Sequence, residues 1–189
     1  MMMEKEITRY FNRYFNLKGI EQMKFEDIDW IGVYMYEELT DEFIEKTFQY
    51  LKYLDYDITS FDTEAEKWKF VFEYNQVSET FLRKHHSEFD REVWSVISAF
   101  QELSEDFMCE FKDELDWIEI SQNQRFSEEF AVQFKLLLDW EAIIGRNIFT
   151  FDFILQNTVL SDGVVSRLGQ MYTAEIKNLL EKYRSEGKK

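Results

Sequence analysis

The chain has 189 residues, with 38 Asp and Glu against 22 Lys and Arg, and a net charge of −16. That balance opposes binding to nucleic acid or to an anionic membrane surface, because each phosphate contact needs a cation. Hydrophobic content of 45%, no proline and only six glycines exclude global disorder and favour a nearly all-helical chain with a sizeable core.

In chain order, the first segment is residues 1–24. Ile7, Tyr10, Phe11, Tyr14 and Phe15 recur at three- and four-residue spacing, which predicts an amphipathic helix. Lys18-Gly19 supplies its stop. Residues 25–155 then carry a repeated design. Trp30, Trp68, Trp94, Trp117 and Trp140 each precede a hydroxyl residue by ten positions: Thr40, Ser78, Ser104, Ser127 and Thr150. Three residues beyond each hydroxyl stands Phe43, Phe81, Phe107, Phe130 or Phe153. The hydroxyls are good N-caps. Flanking pairs such as Leu103 with Met108, and Leu39 with Ile44, are placed to form hydrophobic staples. In the clearest copy, Phe107, Phe111 and Leu115 form one stripe, which predicts a longer helix from Ser104 to near Asp116.

A shorter helix is expected from each tryptophan, capped by Asp29, Asp116 or Asp139 just before it. Three residues after the tryptophan comes Val33, Val71, Ile97, Ile120 or Ile143, on the same helix face. Seven residues after it stands Glu37, Asn75, Gln101, Gln124 or Asn147, a polar group suited to satisfying backbone atoms between units. The intervals between tryptophans are 38, 26, 23 and 23 residues. The array is therefore stretched around residues 56–66, where Asp62 or Thr63 is expected to cap a new turn. Residues 156–189 are expected to hold one C-terminal capping helix, roughly 163–184, and a frayed tail. The fold expected is all-α: a short array of helix-pair repeats, solenoid-like, with a capping helix at each end.

The segments LSEDF…LDWIEIS and FSEEF…LDWEAII resemble uncharacterised tandem-repeat proteins of phages and large DNA viruses. Those carry a consensus like L-S-E-E-F-I-x-x-F-x-D-x-x-D-W-x-x-I-S. The resemblance is strong over residues 103–147 and weakens outward. It implies helical repeats and a viral origin, and it brings no catalytic residues with it.

No HExxH, DxDxDG, GxxxxGK[ST] or GxSxG pattern occurs, so no enzyme, cofactor or metal site is expected. The adjacent pair His85-His86 cannot share a helix face and reads as solvated. Cys109 stands alone, which rules out an internal disulfide and fits a reducing compartment. With no apolar run of about eighteen residues and no signal-peptide core in MMMEKEITRY, a cytoplasmic location in a host cell is expected, with no membrane and no direct nucleic-acid contact. The tryptophans and phenylalanines read as repeat core. What remains for function is acid: Asp41, Glu42, Glu45, Glu105, Asp106, Glu110, Asp113, Glu114, Glu128 and Glu129 are expected to form a partner-binding surface. The expected function is a non-enzymatic viral protein that binds and inhibits a host protein with a basic surface, such as a nucleic-acid-handling defence factor, by nucleic-acid mimicry. A different class is a sponge for a small nucleotide-like ligand, contacted by Arg125, Arg146, Tyr56, Phe61 and Phe151. A third is a structural or assembly protein.

Overall fold

The computed structural model describes residues 30–48, 51, 61 and 63–186. Every regular element among them is a helix, as expected of a chain that lacks proline and carries capping hydroxyls at intervals. The expected helix of residues 1–24, the Asp29 cap, Asp62, Tyr56 and residues 187–189 lie outside the described residues.

The chain divides into two compact units, one ending at Ile97 and the other beginning at Ser98. The first unit holds α1 (Trp30–Tyr36), α2 (Asp41–Thr47), α3 (Glu64–Tyr74), α4 (Glu79–His85) and a 3-10 turn over His86–Glu88. The division falls inside α5 (Arg91–Phe100). The second unit continues with α6 (Glu105–Glu110), α7 (Trp117–Asn123), α8 (Glu128–Gln133), α9 (Trp140–Arg146), α10 (Phe151–Asn157), α11 (Asp162–Met171) and α12 (Thr173–Glu186).

Five local structures follow from one local signal. The side-chain oxygens of Thr40, Ser78, Ser104, Ser127 and Thr150 each accept the amide of the phenylalanine three residues on, at 3.1–3.3 Å. Each bond satisfies a first-turn donor that has no partner inside its helix. The residue after the phenylalanine is fully buried in every copy: Ile44, Leu82, Met108, Ala131 and Ile154. The tryptophan-to-phenylalanine spacing also has a reason. Trp30, Trp68, Trp117 and Trp140 each lie 5.9–6.4 Å, ring centre to ring centre, from the phenylalanine thirteen residues later.

The helix after Ser104 is shorter than expected. It leaves helical geometry at Phe111 (φ −106, ψ 25), and residues 111–115 form hydrogen-bonded turns. Two bonds draw the chain out of the helix. The Trp117 indole N–H takes the Lys112 carbonyl at 2.9 Å, and the Trp140 indole takes Lys135 in the same way at 2.9 Å. Asp116 and Asp139 must also be extended, because their carboxylates cap α7 and α9 by accepting two first-turn amides each. Phe111 and Leu115 remain buried despite the change of backbone.

The polar residue seven after the tryptophan does what its position predicts in two copies. Asn75 donates to the Tyr34 carbonyl at 2.9 Å. Gln124 donates to the Ser98 and Gln101 carbonyls at 2.9 and 2.7 Å and accepts the Leu103 amide at 3.2 Å. In the next copy Asn147 instead adopts a left-handed conformation (φ 53) and ends α9, a geometry asparagine tolerates better than most residues. Arg146 takes over its task, donating to the Ser121 carbonyl at 2.8 Å.

Thr63 caps α3 through a reciprocal capping box with Glu66, as expected of the stretched region. The single C-terminal helix expected over 163–184 is two helices. Ser161 caps α11, which ends at Tyr172, and α12 follows. The buried Tyr172 hydroxyl donates to the Phe149 carbonyl at 2.7 Å, and holding that ring inward sets the break.

In the first unit Tyr34 is completely buried, and its hydroxyl sits 2.7 Å from the Thr47 hydroxyl. Burial pushes the phenol well above its ordinary value of 10, outweighing the opposing effect of its hydrogen bond with Thr47. The unfolded chain therefore releases this proton first. Stability is unaffected below pH 10 and falls as pH rises above it. In urea titrations at rising pH, Tyr34→Phe is expected to flatten that alkaline decline; an unchanged slope would show that other groups cause it.

Candidate functional site

The ten carboxylates expected to face a partner are of three kinds. Asp41 and Glu105 are committed internally. Asp41 accepts the Ser78 amide at 3.0 Å and also the Ser78 hydroxyl. Glu105 accepts the Ser127 amide at 2.6 Å and its hydroxyl at 3.2 Å. In each case a first-turn acid of one copy braces the capping serine of the next, so these two serve the fold. Glu42 and Glu45 are paired with lysines: Glu42 with Lys46 at 2.5 Å, and Glu45 with Lys84.

The third kind is Asp106, Glu110, Asp113, Glu114, Glu128 and Glu129, all exposed and all in the second unit. Among the described residues, Asp106, Asp113, Glu114, Glu128 and Glu129 make no ion pair. Asp106, Glu128 and Glu129 stand in the first turns of α6 and α8, where acid complements the helix dipole, whereas Asp113 and Glu114 lie in the turns after α6. An exposed carboxylate on this protein does act on a cation that reaches it. The hydrogen bond from Lys69 to Glu92, 2.6 Å long, holds the Lys69 ammonium above its ordinary range, with further attraction from Glu92, Asp90 and Glu66.

The alternative ligand contacts do not assemble into one site. Arg125 and Arg146 are brought near each other. Burial first, and then the charge of Arg125, lowers the Arg146 guanidinium from its usual value. Yet Arg146 spends its donors on the Ser121 and Asn123 carbonyls. Phe151 is buried, packs 5.6 Å from the Tyr172 ring, and lines a groove of about 670 Å³ with Asn147, Asp152 and Glu175. Neither arginine lines that groove. Phe61 belongs to the first unit and packs 5.1 Å from Phe70.

His85 departs from the solvated reading. It is half-buried, its ring lies 4.6 Å from Phe81 and 5.4 Å from Trp68, and Nδ1 is 2.7 Å from Glu88. His86 is exposed. No three His, Cys, Asp or Glu side chains among the described residues gather as metal ligands, and no described helix is long and apolar enough to cross a membrane.

One surface escaped the sequence reading. Leu136, Leu137, Val159 and Leu160 are exposed, Leu136 at 88% and Val159 at 82%. Leu136 and Val159 line a groove of about 570 Å³ whose lining also includes Trp140, Val164, Lys135, Asp139 and Glu141, and Leu137 and Leu160 are their neighbours in the chain. The available signal was positional. Leu136-Leu137 and Val159-Leu160 stand one and two 23-residue steps after Asp113-Glu114, at a place that the first copy gives to water.

Comparison with family models, with curated proteins and with solved structures finds no match to this chain.

Proposed function

We propose that this chain is a non-enzymatic binding protein, a short array of helix-pair repeats with helical caps, which occupies a basic surface of a partner protein with outward carboxylates of its second unit. The observation that carries this reading is the exposed set Asp106, Asp113, Glu114, Glu128 and Glu129, which have no ion-pair partner among the described residues. Carboxylates left unpaired on a chain of net charge −16 attract a basic surface at long range and fix its register at short range. The recurrence of equivalent bonds supports the array. The Ser98 hydroxyl accepts the Asp116 amide, and the Ser121 hydroxyl accepts the Asp139 amide, each 18 residues on. The viral resemblance adds the partner class: a host protein that handles nucleic acid, blocked by mimicry of its phosphates in the host cytoplasm.

The test is a comparison of wild type with a triple variant, Asp106→Lys, Asp113→Lys and Glu114→Lys. Glu105 is left alone because of its bonds to Ser127. In pull-downs from host lysate, the wild-type chain is expected to retain basic proteins that elute with salt or with competing DNA. The variant should bind the same proteins about a hundredfold more weakly, three rim charges being reversed. Equal capture by both would sink the carboxylate reading.

A second reading, a sponge for a small anionic nucleotide, draws on the nearness of Arg125 and Arg146. It is separated from the first by a thermal-shift screen with nucleotides, since a tight ligand raises the melting temperature by mass action.

A further inference from the structure

We propose that the groove between the Leu136-Leu137 and Val159-Leu160 corners is the docking site for an amphipathic helix of the partner. That helix carries aliphatic side chains at every third or fourth position, with lysines or arginines beside them. The inference rests on the basic-partner reading above and states what else that partner must present.

Single exposed leucines are ordinary, but an exposed apolar cluster beside a groove marks an interaction surface. Here the two most exposed aliphatic residues among those described in the unit, Leu136 and Val159, line one groove of about 570 Å³, and each is followed in the chain by another exposed leucine, Leu137 or Leu160. Its wall includes Trp140, whose indole N–H is already taken by the Lys135 carbonyl. Trp140 is itself buried and its donor is taken, so what the groove offers an occupant is chiefly the apolar surface of Leu136 and Val159. Aliphatic side chains on a helix meet that demand, and laying an apolar helix face into a groove is a common mode of recognition.

Charge decides between possible occupants. Asp139 and Glu141 stand at the groove against Lys135. Asp139 keeps its carboxylate on the first-turn amides of α9, and the Glu141 carboxylate lies against Gly163, where a side chain would collide with it. Asp113 and Glu114 lie one copy earlier at the same position. Between residues 98 and 166 the only basic residues are Lys112, Arg125, Lys135 and Arg146, and acidic residues outnumber them more than threefold. A second copy of this chain would bring the same carboxylates to the same rim and meet like charge. A basic amphipathic helix satisfies both the groove and its rim.

The probe is a fluorescent peptide of about 18 residues with a leucine face and lysines elsewhere. Two companions are used: one with serine for leucine, and one with glutamate for lysine. The variant is Leu136→Ser with Val159→Ser. Both side chains are exposed, so its circular-dichroism spectrum and melting temperature are expected to match wild type. By fluorescence anisotropy, the leucine–lysine peptide should bind wild type at least about tenfold more tightly than either companion, and the variant should lose about tenfold for that peptide alone. Equal affinity for the leucine–lysine and serine–lysine peptides overturns the groove and leaves the carboxylate reading standing. Binding of neither lysine peptide overturns both. A wild-type dimer in sedimentation analysis that the variant abolishes assigns the groove to a second copy and overturns the proposal.

Discussion

Trp68→Ala is expected to destabilise the first unit by about 4 kcal/mol, in the range of large-to-small core substitutions, and to lower its melting temperature by roughly 20 °C. Trp68 is the hub of that core. It is 2% exposed, stacks on Phe48 at 3.8 Å and on Phe72 at 5.5 Å, and meets Phe81, His85 and Phe89 at 5.4–5.9 Å. Removing the indole strips contact from five rings that cannot all move inward, so a cavity remains. The equivalent Trp117 is half-buried and rests on Phe130 and Phe134, so Trp117→Ala should cost clearly less. Trp68→Phe provides the internal control. The Trp68 indole N–H is buried with no hydrogen-bond partner, so phenylalanine removes an unsatisfied donor and loses only size. Thermal melts by circular dichroism check all three. A shift for Trp68→Ala no larger than for Trp117→Ala would show that the aromatic cluster is not the core of that unit.

Gln124→Ala is expected to cost about 3 kcal/mol, chiefly through what it leaves behind. The amide is buried and makes three bonds, to the Ser98 and Gln101 carbonyls and from the Leu103 amide. Alanine abandons two acceptors and a donor where water enters poorly. Gln124→Leu should not rescue it, since it restores volume without any of the bonds. Gln122, two residues earlier and exposed, should tolerate alanine with little change. Urea denaturation of these variants separates the effects; equal midpoints for the variants at 122 and 124 would contradict this account.

The caps were legible in the sequence because their physics is local. A serine or threonine followed three residues later by a phenylalanine states its bond, and all five such bonds form. The backbone-satisfying role of Gln124 and Asn75 was legible for the same reason: a polar residue between apolar neighbours must find a partner. What was not legible depends on which copy stands beside which. Asp41 and Glu105 look like ordinary first-turn acid, and only the neighbouring serine, 37 or 22 residues on, makes them struts. The early end of α6 was hidden too, because the stripe Phe107, Phe111 and Leu115 fits a continuous helix as well as a helix followed by turns. The exposure of Leu136 and Val159 was hidden as well, since a large aliphatic residue carries no local sign that it faces outward.

The stretched interval between Trp30 and Trp68 has a practical meaning. The bond from Asn75 to Tyr34 spans 41 residues, while its counterpart from Gln124 to Ser98 spans 26. Ser78 reaches Asp41 across 37 residues, while Ser127 reaches Glu105 across 22. Both pairs differ by the same fifteen residues, and in both the bond is made in the same way. The extra length therefore lies between fixed points without disturbing either of them, and long insertions of this kind carry only a small closure cost. Two copies can thus differ by fifteen residues in the chain between them while the bonds that tie their ends together keep one form.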